Sequence, residues 1–295
     1  MGKEPKRHRK DRRDAWYLAD MDSMHVFMAN LLPGRCANEA VMNETLDLTA
    51  VEAYLAKKNA ADPDFKYTFF HVICAAIAKT IALRPALNRF IANGRFYERK
   101  QISLSFIVKK QFVDGGAESL AIVVLDPESE VSPVEQIHTE VKRQVTEIRV
   151  HDQKDGTTDV MDTLVRLPRF LFKLVIRAFR WMDRTGRMPE SLQKVDPYYT
   201  SCFLSNLGSI KMHATYHHLT EYGSNSFFVL IGEKRRQPFF AEDGSFELRD
   251  VLDMGMTLDE RVADGTYYAK SLRLMRKLLA EPELLDRPMK EVPEY

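Results

Sequence analysis

The stretch from Leu252 to Gly265 reads LDMGMTLDERVADG and joins two patterns of secondary structure. Apolar residues alternate with polar or small residues over positions 252–259, which predicts a strand with one face in the core. Glu260 continues the apolar, even-numbered series, so we expect its side chain to point inward. Asp264 then reads as the cap of a final helix that runs to about Leu279.

Helical and strand patterns also alternate upstream of this stretch, which indicates an α/β chain. Apolar residues at helical spacing, β-branched runs and glycine-containing turns mark the individual elements. In chain order these are a core helix between Phe65 and Ala82 that Pro85 ends, the strands Ile102 to Val108 and Leu120 to Leu125 around Gly115-Gly116, a helix from Pro133 to about Val150, a loop from Asp152 to Asp159, the strands Thr200 to Leu204 and Phe227 to Gly232, and a hairpin around Glu242-Asp243-Gly244.

Composition and charge favour one globular unit. With 295 residues, 45% of them hydrophobic, the chain is long enough to bury a large core, and no internal repeat divides it. The formal net charge of +1 gives no global field that would attract nucleic acid or an anionic membrane, so any charged partner must be recognised locally. We therefore expect a basic flexible arm over residues 1–14, a single domain over residues 15–295, and no nucleic-acid partner.

The cysteines and the N-terminus bear on the cellular compartment. Cys36, Cys74 and Cys202 lie far apart without metal-ligand spacing, which predicts reduced thiols rather than disulfides. The basic run from Lys3 to Arg13 is not followed by the apolar stretch that a signal peptide needs. Both observations favour a cytoplasmic protein.

An apolar helix with one basic face is predicted from Leu164 to Arg184. Its basic residues recur every three or four positions, so they fall on one side of the helix. Two interpretations stay open. The helix either covers the protein with its polar face in water, or docks on a membrane surface or a partner protein.

Three motifs carry a resemblance to a known family. The residues from Asp259 to Gly265 are similar to the Asp-His-Arg-x-x-Asp-Gly signature of 2-oxoacid dehydrogenase acyltransferases, and more loosely to the His-x-x-x-Asp-Gly of chloramphenicol acetyltransferases. Glu260 stands where those families carry histidine. Upstream, Phe203 to Gly208 reads FLSNLG and resembles the family's serine-containing strand end, and Arg84 to Asn88 resembles its Pro-x-x-Asn turn.

The resemblance spans about Met24 to Leu285 and implies a chloramphenicol acetyltransferase-like fold. That fold is a two-layer α/β sandwich with helices packed on a mixed sheet, assembled as a homotrimer with active sites between subunits. Against this pattern the Leu164 to Arg184 helix is an insertion. No lipoyl or subunit-binding domain is visible in the sequence, so we expect the catalytic-type module alone, with coenzyme A or acyl-CoA as co-substrate and no lipoyl group.

Carried over by position, the family's roles assign Ser205 to stabilise the oxyanion, Asp264 to hold local structure, and Glu260 to act as the base. Ordinary pKa values make a carboxylate weaker than an imidazole by roughly 2 units, or about 3 kcal/mol. Such a deficit slows the reaction by at most ~10²-fold and does not abolish it. The alternatives are an inward Glu260 paired with an arginine, and a Ser205 that only closes a turn.

Histidines between the two motifs offer another base. His217 and His218 follow the serine motif, and neighbours in an extended segment face opposite ways, so one of them is expected to reach the site. The alternative is a histidine at the surface or an interface. His213 joins them at helical spacing, but no nearby carboxylate or cysteine completes a ligand set, and we predict no metal.

Taken together, these features predict a free-standing enzyme that moves an acyl group from acyl-CoA to a small thiol, hydroxyl or amine acceptor. The second hypothesis is a catalytically inactive member of the family that acts as a trimeric scaffold or regulator. The third makes the Leu164 to Arg184 helix the functional element, as a docking site for a membrane surface or a protein.

Overall fold

The computed structural model describes residues 8–109, 118–150 and 164–295. The predicted Gly115-Gly116 turn and the Asp152 to Asp159 loop lie outside the described residues. The strands are β1 Ala15–Tyr17, β2 Glu39–Asp47, β3 Arg89–Ala92, β4 Arg95–Arg99, β5 Ile102–Lys109, β6 Glu118–Leu125, β7 Cys202–Asn206, β8 Phe227–Ile231, β9 Arg235–Phe240 and β10 Phe246–Asp259. The helices are α1 Ser23–Leu31, α2 Thr49–Lys58, α3 Phe69–Leu83, α4 Pro133–Val150, α5 Arg169–Thr185, α6 Glu190–Gln193 and α7 Gly265–Ala280.

Within the described residues, the main sheet is mixed. Its order is β2-β10-β8-β7-β5-β6, and β9 pairs with the first half of β10 as the predicted hairpin. The β5–β7 and β7–β8 pairs are parallel, whereas β10 runs antiparallel to β8 and β2. A smaller sheet, β1-β4-β3, lies beside it. The predicted α/β sandwich with a mixed sheet is confirmed.

The helical layer packs on one face of the sheet. Helices α3 and α4 contact β5 and β6, and α7 packs on β2 and α3. The even-numbered apolar residues of β10 point into this core, as their alternation predicts. Helix α3 begins with a capping box between Thr68 and His71 and ends at Leu83, with Arg84 as its C-cap just before Pro85. The periodicity of the sequence therefore predicted correctly which face of β10 the helices cover.

The other face of the sheet is covered by a connector, which we define as residues 207–226 between β7 and β8. It crosses β8 and β10 so closely that a Cβ atom at Gly232 would collide with the Ala214 backbone, and one at Gly255 with the Thr215 carbonyl. The lack of a side chain at these two positions lets the connector lie on the strands. As a result, Thr257 and Asp259 on this face of β10 are as buried as the core-facing residues.

Two predicted elements differ from the structure. The basic helix begins at Arg169 rather than Leu164. Pro168 occupies the N-cap position with an extended backbone, so the helix does not continue upstream through it. The predicted flexible arm over residues 1–14 is packed where it is described: the buried Arg12 guanidinium donates to the Asp183 carbonyl at 3.1 Å and to Asp14. These contacts fix this part of the arm against the C-terminal end of α5.

Candidate active site

A buried ion pair ends strand β10. Asp259 is fully buried, and Arg261 donates to both of its carboxylate oxygens at 2.7 and 2.6 Å. Arg35 lies at 3.9 Å on the other side and donates to carbonyl oxygens of the connector. Arg261 also donates to the Leu32 carbonyl at 2.9 Å. These charge-assisted bonds to Asp259 fix the start of the turn that follows, whereas the buried Arg35 Nε makes no hydrogen bond within the described residues.

The structure corrects the expected inward orientation of Glu260. Strand pairing stops at Asp259, which lies opposite Glu39, and Glu260 is exposed in the turn beyond it. Alternation holds only while the chain stays in the sheet, so the parity of β10 does not extend to Glu260. The Glu260 amide donates to the Asn38 carbonyl at 3.0 Å, which holds the turn in place. The arginine pairing that was the alternative role for Glu260 is made by Asp259 instead.

Asp264 has the structural position that the sequence predicts. Its carboxylate accepts a hydrogen bond from the Tyr267 amide at 2.7 Å and caps helix α7. Tyr268, one residue further, donates from its hydroxyl to the Asp259 carbonyl at 2.7 Å. Burial raises the pKa of Tyr268, so the phenol keeps its proton and this bond. Glu260 therefore lies between two anchored residues, the buried Asp259 and the helix cap Asp264.

Ser205 lies in strand β7 itself, near the strand's C-terminal end, whereas the sequence placed it just beyond the strand. Leu204 points into the helical core, so Ser205 points to the connector face together with Phe203. It lies opposite Leu230 of the parallel strand β8 and is half-buried. The hydroxyl is thus presented on the face of the sheet away from the helices.

Ser205 and Glu260 of one chain do not meet. Along β8, Ser205 is level with Leu230, whereas the Asp259 amide bonds the Ser226 carbonyl at the opposite end of the strand. The two side chains are offset by about five residues along β8, at roughly 3.3 Å each, and by two strand spacings of about 4.8 Å across the sheet. Together these offsets put them roughly 20 Å apart. No single substrate carbonyl can contact both within one chain.

The connector histidines lie on the same face as Ser205. The His217 ring stacks on Phe228, with centroids 4.4 Å apart, and Phe228 stacks on Phe203 at 4.5 Å. Phe228 is two residues from Leu230, so His217 is closer to Ser205 than Glu260 of the same chain is. His217 is half-buried and His218 is exposed.

Hydrogen bonds fix the tautomer of both rings. His217 Nδ1 is 2.7 Å from the His218 carbonyl oxygen, and His218 Nδ1 is 2.8 Å from that of Leu219. A carbonyl oxygen only accepts, so in each neutral ring Nδ1 carries the proton and Nε2 presents a lone pair. Either ring thus has a nitrogen suited to accept a proton, while the exposed His213 instead faces Glu233 at 3.6 Å.

Among the described residues, no group of three or more potential ligands is placed to hold a metal ion.

Sequence reasoning missed the role of Asp259 and Arg35. Asp259 is part of the quoted motif and belongs to the odd-numbered, polar side of β10. It is buried because the connector covers that side of the strand, and this is the one indication of its burial. Arg35 carries no signal at all, because only the fold brings it to Asp259 from the other end of the chain.

The architecture is similar to that of several solved acyltransferase structures. The fold is similar to the cubic core of the pyruvate dehydrogenase multienzyme complex (TM-score 0.58, 16% identity, 89% of this chain and 88% of that chain). It is also similar to Azotobacter vinelandii dihydrolipoamide acetyltransferase (0.57, 16%, 89% and 88%), for which a serine, a histidine and an asparagine have been studied in the catalytic mechanism. Chloramphenicol acetyltransferase is a third similar structure (0.52, 15%, 90% and 98%).

One family model matches the sequence. Residues 190–286 match the catalytic domain of the 2-oxoacid dehydrogenase acyltransferases. The match includes both Ser205 and Glu260 and starts just after helix α5. A comparison with curated proteins finds no match. The resemblance stated from the motifs is confirmed by the family model and by the fold.

Proposed function

We propose that this chain is a coenzyme-A-dependent acyltransferase that works as a homotrimer, with each active site formed by two subunits. One subunit supplies Ser205 and its neighbour supplies Glu260. The observation that carries the proposal is the roughly 20 Å between these side chains in one chain, derived from the strand register. Residues 15–295 form the catalytic unit, and the three free cysteines support a cytoplasmic setting.

The proposed roles of these residues account for a complete acyl-transfer step. The thiol, hydroxyl or amine of a small acceptor attacks the thioester carbonyl of acyl-CoA, while the Glu260 carboxylate accepts the acceptor's proton. The Ser205 hydroxyl donates a hydrogen bond to the tetrahedral oxyanion. Collapse of this intermediate breaks the bond to sulfur, and the coenzyme A thiolate takes the proton back from Glu260. The acceptor is acylated, and the enzyme returns to its starting state.

The environment of Glu260 supports its role as the base. The neighbouring Asp259 takes the bidentate pairing with Arg261, so Glu260 is not drawn into that ion pair and stays exposed at the end of the sheet. His217 is the second candidate base, because its Nε2 lone pair is on the face that carries Ser205. A comparison of Glu260→Gln with His217→Gln distinguishes the two candidate bases.

The test is acceptor-dependent release of thiol from acetyl-CoA by purified protein, with a panel of small thiols, alcohols and amines. We expect Ser205→Ala and Glu260→Gln each to lower turnover by about 10²-fold. Glu242→Gln removes an exposed carboxylate from the hairpin loop and serves as the matched control. Unchanged turnover in Glu260→Gln with a loss in His217→Gln would transfer the base to His217.

A second function is favoured by the missing histidine at position 260. In it, the chain is an inactive scaffold or regulator that keeps the trimer. Its expected signature is a protein that still trimerises but shows no turnover with acetyl, propionyl or longer acyl donors. Measurable acceptor-dependent turnover excludes it.

A further inference from the structure

Helix α5 lies on the surface and outside the segment that matches the family model. Asp183, close to its C-terminal end, is the one residue of the helix that is buried, and its carboxylate accepts from the Tyr199 hydroxyl at 2.7 Å. The helix begins after Pro168 and ends at Gly186, which has a left-handed backbone. It is therefore attached at one end and presents most of its circumference to solvent.

A stripe of large apolar side chains runs along the solvent side of α5. Phe170 is 71% exposed, Leu174 61% and Trp181 52%. At about 100° per residue, these three fall within roughly 40° of one another around the helix axis. So much aromatic and aliphatic surface in one stripe is unfavourable in water and indicates a binding surface.

A stripe of cations borders the apolar stripe. It consists of five residues, which fall within about 80° of the helix circumference and end roughly 20° from Phe170. Because the helix's one acidic residue, Asp183, is buried, its solvent side is uniformly positive. The five cations are Arg169, Lys173, Arg177, Arg180 and Arg184.

The N-terminal basic segment adds charge to the same end of the molecule. Arg12 donates to the Asp183 carbonyl at 3.1 Å and packs on Gly186, so the chain that precedes it emerges beside the C-terminal end of α5. Arg9, Lys10 and Arg13 belong to this segment. Two basic elements that are far apart in sequence thus come together at the C-terminal end of α5.

We propose that α5 docks the protein on the surface of an anionic phospholipid bilayer. Phe170, Leu174 and Trp181 would enter the boundary between headgroups and acyl chains, while the flanking cations contact lipid phosphates and carboxylates. In this proposal α5 lies in the plane of the bilayer surface, as amphipathic helices with one basic face do. No helix of the described residues is long and apolar enough to cross a membrane. This inference goes beyond acyl transfer and does not depend on it.

Charge favours lipid over a second copy of the chain. In an antiparallel two-fold contact of α5 with its copy through the apolar stripe, five cations would lie beside five cations, and such like-charge contacts oppose association. An anionic bilayer complements both stripes at once, because it offers negative headgroups next to an apolar interior.

The experiment is co-sedimentation of the whole chain with vesicles at low salt. We expect it to pellet with phosphatidylcholine–phosphatidylserine vesicles and not with phosphatidylcholine alone. In Trp16→Phe protein, which leaves Trp181 as the reporter, the emission should shift to shorter wavelength as the indole leaves water. Arg177→Glu/Arg180→Glu should weaken binding by about tenfold or more, since each cation near the surface contributes about fivefold.

A matched charge change on another helix is the control. Lys270→Glu/Arg273→Glu alters two exposed cations of α7 and should bind like wild type. Phe170→Ser/Leu174→Ser should lose binding without any change of charge. The proposal is wrong if wild type does not pellet with anionic vesicles and Trp181 does not shift, or if both charge variants weaken binding equally. A change of oligomeric mass in the α5 variants, with no lipid binding in wild type, would assign the stripe to a second copy.

Discussion

Asp259 and Asp253 lie on the same face of β10, and each pairs with an arginine, but only Asp259 is buried. Removing its charge leaves Arg261 and Arg35 uncompensated, so we expect Asp259→Asn to lower the free energy of unfolding by about 3–5 kcal/mol. Asp253→Asn, which breaks the part-exposed pair with Arg235, should lower it by about 1 kcal/mol or less. Urea unfolding measures both. Equal losses would mean that the buried cluster has no special role in holding the turn that contains Glu260.

Glu260→His tests the base directly at the scale of one side chain. An imidazole is a stronger base than a carboxylate by roughly 2 pKa units, so we expect acceptor-dependent turnover to rise by up to ~10²-fold. The pH at which turnover is half-maximal should move toward the ordinary histidine range, near 6.5. Glu242→His is the control for an added exposed histidine. No rise in a folded, trimeric variant would show that position 260 does not supply the base.

At the scale of elements, the start of α3 makes stability depend on pH. The Thr68 amide donates to His71 Nδ1 at 3.0 Å, and burial, together with nearby His138, lowers the pKa of His71 to about 4. The unfolded chain therefore binds this proton more readily. The free energy of unfolding should fall as pH drops from about 6.5 to 4, by up to ~3 kcal/mol.

Replacing His71 by glutamine separates the cap from the charge. His71→Gln keeps an acceptor at the third helical position and removes the titrating group, so the slope with pH between about 4 and 6.5 should flatten. His213→Gln, at an exposed position, should keep the wild-type slope. Unfolding curves at a series of pH values measure both. A slope that persists in His71→Gln would place the proton uptake elsewhere.

Elements that repeat a periodic pattern were predictable from the sequence, and single side chains at their ends were not. The alternation along β10 and the apolar spacing of α3 record burial directly, so both elements follow from them. Glu260 was misplaced because the sheet pairing that sustains the alternation stops one residue earlier. The burial of Asp259 depends on the connector crossing Gly255, a contact between distant segments that no local pattern contains.

At the scale of the whole molecule, the strand order decides where chemistry is possible. Strand β8 separates β7 from β10, and opposite directions of pairing put Ser205 and Glu260 at opposite ends of the sheet. Neither motif predicts this by itself, because the separation depends on which strands are neighbours. In a closed trimer, however, the serine end of one subunit can face the Glu260 end of the next.

Co-expression of two impaired variants tests this arrangement. When Ser205→Ala and Glu260→Gln chains mix at random, about one quarter of the interfaces combine an intact Ser205 with an intact Glu260, so about a quarter of wild-type turnover should return. Each variant alone should stay impaired. Differently tagged chains and the mass of the purified complex verify that mixed trimers form. If each chain held a complete site, every site in the mixture would carry one defect and turnover would not recover, whatever the degree of mixing.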